Sequence, residues 1–122
     1  MTDRDAGSRP FDLAAGARAW LGGHNRAARR ELELLLTGTP RPPAGPIEAA
    51  FVAAQTLEEA EYFTDKLLPR LVPSGVIWIV WSAQRGIGLD SDALPGAMAK
   101  RDLHECGRTR LCDTVYCAAF QR

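Results

Sequence analysis

Three stretches of this chain bring together residue types that can do chemistry. The first is Gly22-Gly23-His24-Asn25-Arg26. Adjacent glycines free the backbone for a tight turn, and backbone amides at a helix start attract an anion. With His24 and Arg26 beside them, such amides suit a phosphate or a carboxylate. The plainer reading is that Gly22 and Gly23 only turn a strand into a helix, while the arginines line a solvated face. The second stretch is Gln55-Thr56, and the third is Ser82 with Gln84 and Arg85. Each follows an apolar segment. If those segments are parallel strands, all three stretches face one crevice, because open α/β sheets bind ligands at the carboxyl ends of their strands.

A fourth group is His104, Cys106, Cys112 and Cys117, all near the C-terminus. Zinc signatures pair their ligands a few residues apart, twice, and this spacing is looser and spread over two strands. Cysteine also serves as a small buried hydrophobe. The expectation is free thiols without a metal, as befits a reducing compartment. His24 and His104 are the only histidines, and neither sits in a nucleophile motif. No catalytic residue and no cofactor is assigned.

Positioning these residues falls to a chain of 122 residues, enough for one domain with a sizeable core. Residues 1–10 read as a flexible lead-in and 11–122 as the domain. Acidic and basic residues balance at 15 each, which disfavours nucleic acid bound through bulk charge. No apolar run approaches the roughly 18 residues that span a membrane. The polar N-terminus lacks a signal-peptide core, so the expected location is the cytoplasm.

Ala17–Gly22 reads as a first strand, and Asn25 as the cap of a helix over Arg26–Leu36, with Ala28, Leu32, Leu35 and Leu36 on its buried stripe. Prolines and glycines make Thr37–Pro46 a loop. Ile47–Val52 is the second strand. Thr56 and Glu59 form a capping box, opening a helix that buries Leu57, Ala60, Phe63, Leu67 and Leu68 and stops before Pro69. Pro73-Ser74-Gly75 then turns the chain into Val76–Trp81, whose unbroken Val, Ile and Trp mark a central strand buried on both faces. Past the Ser82–Asp90 loop, Ser91 or Asp92 caps a short helix. Strands near Glu105–Leu111 and Thr114–Phe120 close the chain, antiparallel because only Cys112-Asp113 separates them. The order β-α-β-α-β-α-β-β is an α/β, small Rossmann-like three-layer sandwich with a mostly parallel sheet ending in a hairpin. Trp20, Trp78 and Trp81 fill the core or, if one is exposed, anchor a partner.

The segment Leu67-Leu-Pro-Arg-Leu-Val-Pro-Ser-Gly-Val-Ile-Trp-Ile-Val-Trp81 resembles the helix, turn and strand in the C-terminal half of class I methyltransferases. With Asp113, Tyr116 and Phe120, it is similar still more closely to a largely actinobacterial family known as a domain of unknown function. The resemblance implies a sheet in which the fifth strand lies, antiparallel, between the third and fourth. It does not carry over a cofactor site. A methyltransferase places a Gly-x-Gly loop after its first strand and an acid at the end of the next. Here the glycines are adjacent, Pro-rich residues stand where the ribose-binding strand belongs, and the second strand ends Ala53-Ala-Gln-Thr56. The expected function is therefore a non-catalytic module acting through protein contacts, with a homodimer or protein partner. The other expectation is a nucleotide or anion binder, or a degenerate methyltransferase, using Gly22, Gly23, His24, Asn25, Arg26, Gln55, Thr56, Ser82 and Arg85.

Overall fold

Val76 to Trp81 runs through the middle of a five-stranded sheet. The computed structural model describes residues 18–36, 44–82 and 89–122. In chain order these hold β1 (Ala19–Gly22), α1 (Arg26–Leu35), β2 (Ile47–Ala53), α2 (Leu57–Leu67), a 3-10 turn (Leu68–Arg70), β3 (Leu71–Ser82), α3 (Leu94–Ala99), β4 (His104–Cys112) and β5 (Val115–Gln121). The sheet order is β1-β2-β3-β5-β4, with β1, β2 and β3 parallel and β5 antiparallel to both its neighbours. That is the order the methyltransferase resemblance implied. The lead-in at 1–10, Ala17, most of the Pro-rich loop and Arg85 lie outside the described residues.

The sheet is covered on both sides, which makes three layers. On one face Ala50, Val52, Ile77, Ile79, Trp81, Ala118 and Phe120 meet Ala60 and Leu67 of α2 and Leu94, Ala97 and Met98 of α3. On the other, Ala49, Phe51, Ala53, Val80, Val115 and Cys117 meet Ala28 and Leu32 of α1, with Leu36 beyond it. Phe51 and Phe120 are fully buried on opposite faces, each contributing about 2–3 kcal/mol of transfer free energy. Parallel strands reached by helical crossovers bury both faces, which explains why β2 and β3 do not alternate. Thr64 is also buried on α2, its hydroxyl 3.8 Å from the Met98 sulfur, a polar residue inside the expected apolar stripe. Among the described residues no helix is long and apolar enough to cross a membrane.

Three boundaries differ from the sequence reading. Pro73-Ser74-Gly75 is not a turn ahead of the strand but lies inside β3. Ile47 pairs with Leu71 and Ala49 with Val76, so the extra residues loop out of the ladder as a bulge. Proline, which has no N–H to give, is tolerated in a strand at such a place. Neither Ser91 nor Asp92 caps α3. The helix begins at Leu94 behind Ala93 with no side-chain cap, and the Asp90 carboxylate instead accepts from the Asp92 amide. Proline in the first turn supplies the helical φ that a cap would otherwise help set. The final hairpin turns at Asp113-Thr114, one residue later than expected. β4 carries register shifts at Glu105/Gly107 and Arg110/Cys112, and its residues 104–110 are all exposed.

Candidate functional site

The β1–α1 turn, the β2–α2 turn and the end of β3 meet at the carboxyl edge of the sheet, as their common strand direction requires. Gly23 begins the junction with a φ of +110°, a conformation glycine adopts freely. A Cβ at Gly23 would lie 2.1 Å from the Ala53 carbonyl oxygen, so the turn is pressed directly onto the end of β2. Gly22 is needed for a different reason. The Trp20 indole lies across it, 2.3 Å from where its Cβ would be.

Asn25 fills the centre of the junction and is 7% exposed. Its backbone N–H donates to the Ala53 carbonyl at 3.1 Å, and its side-chain oxygen accepts from the Ala28 amide at 3.1 Å, capping α1. Its side-chain NH2 donates to the Ala54 carbonyl at 3.1 Å and to Ser82 Oγ at 3.0 Å. Every donor of Asn25 is therefore used within the protein, and its backbone oxygen takes the Arg29 amide at 2.9 Å. Ser82 is also buried, at 8% exposure. Asn25 was read as a helix cap from sequence, and it is one. Its tie to β2 and β3 needs the parallel sheet to exist first.

Glu59 closes the outer part of the same crevice. One carboxylate oxygen accepts from the Gln55 amide at 2.7 Å and the other from the His24 amide at 2.6 Å. His24 Nδ1 stands 3.0 Å from the second oxygen. The glutamate side chain is 10% exposed, although the His24 ring is 74% exposed. The capping box is thus altered. Thr56 Oγ1 accepts from the Glu59 amide at 3.1 Å as expected, but the glutamate takes the amide of Gln55 rather than that of the cap residue. Its second oxygen crosses to another turn altogether. Sequence reasoning missed this role, and the signal for it was the capping-box glutamate itself, placed where two turns converge.

Of the expected ligand residues, the structure brings Gly22, Gly23, His24, Asn25, Gln55 and Ser82 together. Arg26 is exposed at the first turn of α1, and Thr56 is exposed with its hydroxyl spent on the α2 cap. The His24 and Gln55 amides are engaged by Glu59, and the Asn25 amide and side chain by Ala53, Ala54 and Ser82. Among the assembled groups, Glu59 is the only anion.

The aromatic residues sort differently. His24 and Trp20 both lie against Phe63, at centroid distances of 5.8 and 5.6 Å, and Tyr62 meets the same ring edge-on at 5.3 Å. Trp81 is buried, stacked on Tyr116 at 6.2 Å, with the Arg108 guanidinium 5.4 Å from its ring. Trp78 is half-buried and stacks on Phe51. No tryptophan is fully exposed. Among the described residues the exposed large apolar ones are Leu34 at 69% and Tyr62 at 55%, on helices that cover opposite faces of the sheet.

The cysteine group disperses. Cys106 is exposed, Cys112 half-buried and Cys117 buried, all as free thiols. Burial pushes the Cys117 thiol up to about 12, which leaves it protonated at neutral pH and poor as a nucleophile or a metal ligand. Among the described residues no three His, Cys, Asp or Glu side chains form a cluster able to hold a metal.

No family model matches the chain, and no curated protein matches it either. Solved structures do. LepI in complex with SAM superposes with a TM-score of 0.56 at 9% identity, over 86% of this chain and 43% of LepI. A ribosomal protein L11 methylase from Lactobacillus delbrueckii subsp. bulgaricus gives 0.50 at 13% identity, over 87% and 58%. The DhpI-SAM-HEP complex gives 0.53 at 11% identity, over 88% and 69%. The chain spans less than half the length of LepI. At these identities the likeness concerns fold, and the fold is methyltransferase-like.

Proposed function

We propose that this chain is a non-catalytic Rossmann-like module of the cytoplasm that works through contacts with a protein partner or a second copy of itself. Residues 11–122 form its single domain behind a short lead-in. The observation that carries this reading is the state of the crevice. Asn25 ties the first turn to Ala54 and Ser82, and Glu59 ties it to Gln55. A cofactor lying there would have to displace a buried amide side chain with all its hydrogen bonds made, together with a carboxylate holding two amides. The balanced charge supports protein rather than nucleic acid as the partner. Among the described residues, Leu34 and Tyr62 are exposed apolar residues that such a partner would meet.

A second reading is a small-ligand binder (nucleotide or anion), or a degenerate SAM-dependent methyltransferase. Two of the similar folds hold SAM, which is the observation in its favour. A thermal-shift screen of the purified protein against SAM, its demethylated product, nucleotides and phosphate separates the two. A ligand at about 100 times its Kd adds roughly 2.7 kcal/mol, which is several degrees in a domain of this size. The module reading expects no such shift with any of them, and one clear shift sinks it. Light scattering during gel filtration then distinguishes a second copy from a different partner.

A further inference from the structure

The Glu59 carboxylate is held as a ligand would be. Its two oxygens are each taken by a backbone N–H from a different turn, at 2.7 Å from Gln55 and 2.6 Å from His24, with His24 Nδ1 adding a contact at 3.0 Å. The group is nine-tenths buried at the carboxyl edge of the sheet. Such buried charge is retained only where donors replace the water it loses. Its position does not depend on its covalent tether alone. The α2 cap is made by Thr56 Oγ1 to the Glu59 amide, so the helix start persists without the carboxylate. The second turn is separately secured by the Ala54 amide on the Val80 carbonyl at 2.8 Å, and the first by Asn25 on Ala53.

From this geometry we propose that the amides of His24 and Gln55 form a carboxylate-binding cradle for which Glu59 is the resident occupant, and that a small free carboxylate takes the place when Glu59 is removed. The planar two-oxygen geometry, with one oxygen for each turn, favours a carboxylate over a single-atom anion such as chloride. The proposal rests on the reading that the chain itself closes the crevice, and adds the class of ligand that the two amides accept once Glu59 is gone.

The test is chemical rescue in the full chain. Glu59→Ala leaves a space the size of a carboxylate beside both amides. Formate is the probe, with chloride and phosphate at matched ionic strength as controls. Formate should raise the melting temperature of Glu59→Ala saturably, by about 5 °C at ten times its Kd. It should also move the His24 and Gln55 amide resonances back towards their wild-type positions, and leave the wild type unchanged. Equal shifts with chloride or phosphate, no saturable response, or a response of equal size in the wild type would each overturn the cradle. Wild-type binding would also remove the closed-crevice reading, whereas a silent wild type with a silent variant removes only the cradle. Should Glu59→Ala fail to fold, Glu59→Gln keeps the volume and replaces one oxygen by NH2. The cradle then expects displaced His24 and Gln55 amide resonances, and wild-type positions would overturn it.

Discussion

The crevice at the ends of β1, β2 and β3 and the cysteine-bearing hairpin of β4 and β5 both carry residue types that chemistry uses, but they differ in how those residues are arranged. In the crevice the residues converge and then saturate one another, as Asn25 and Glu59 show. In the hairpin Cys112 and Cys117 share one apolar cluster, but among the described residues no three such side chains converge. A strand sends alternate side chains to opposite faces, and burial separates Cys117 from the exposed Cys106. Convergence without vacancy gives rigidity, and composition without convergence gives ordinary core and surface.

The contrast can be broken or sharpened by measurement. The largest expected effect is on thiol reactivity. The Cys117 thiol, moved from an ordinary 9.0 to about 12, holds about a thousandfold less thiolate at a given pH, before its lack of access is counted. Alkylation at pH 8 followed by mass mapping should label Cys106 and spare Cys117 until the protein unfolds. Equal labelling would mean the hairpin opens readily.

Next comes Gly23→Ala. It forces a side chain into φ +110° and against the Ala53 carbonyl, and should cost about 3 kcal/mol or more by chemical denaturation. A neutral effect would show that the turn is not pressed onto β2. Asn25→Ala removes a helix cap and two buried hydrogen bonds together, leaving Ser82 without a donor to its hydroxyl oxygen, so about 2–3 kcal/mol should be lost. A loss under 1 kcal/mol would reduce Asn25 to an ordinary cap.

The smallest effect lies outside both regions. The Arg101 guanidinium, at 2.6 Å, holds the Asp65 carboxyl below the usual carboxylate range. A depressed folded pKa gives stability that is present above the unfolded value and is lost as pH falls through the folded one. Because Asp65 is 58% exposed, the contribution is screened to a few tenths of a kcal/mol. Denaturation midpoints of Asp65→Asn and wild type should differ slightly at pH 7 and converge near pH 2. A gap that stays constant with pH would remove the ion pair as its cause.

Most of the fold was legible because local signals agreed with the global pattern. Asn25 before a periodic run and Thr56 three residues ahead of Glu59 each named a helix start, and both helices begin there. The apolar run at Val76–Trp81 identified the central strand. Less was legible where tertiary contact overrides local grammar. Pro73 and Gly75 read as punctuation, yet β3 continues past them because Leu71 pairs with Ile47 on the other side of the bulge. α3 has no side-chain cap, so Ser91 and Asp92 misplace its start and Pro95 in its first turn is the signal that remains. At the site, position could be inferred from strand direction, but occupancy could not. That Glu59 would reach His24, 35 residues away in sequence, depends on packing between turns and has no period to betray it.

The register shifts in β4 have a consequence for the protein in a crowded solution. Among the described residues β4 borders the sheet, nine residues long, with Arg108 and Arg110 on it. A flat edge of that length would offer its unpaired amides and carbonyls as a template for another chain, the first step towards fibrils. Two breaks in register and the charged side chains of Glu105, Arg108 and Arg110 make a matching intruder strand hard to seat, so the irregularities of β4 guard the sheet against growing beyond itself.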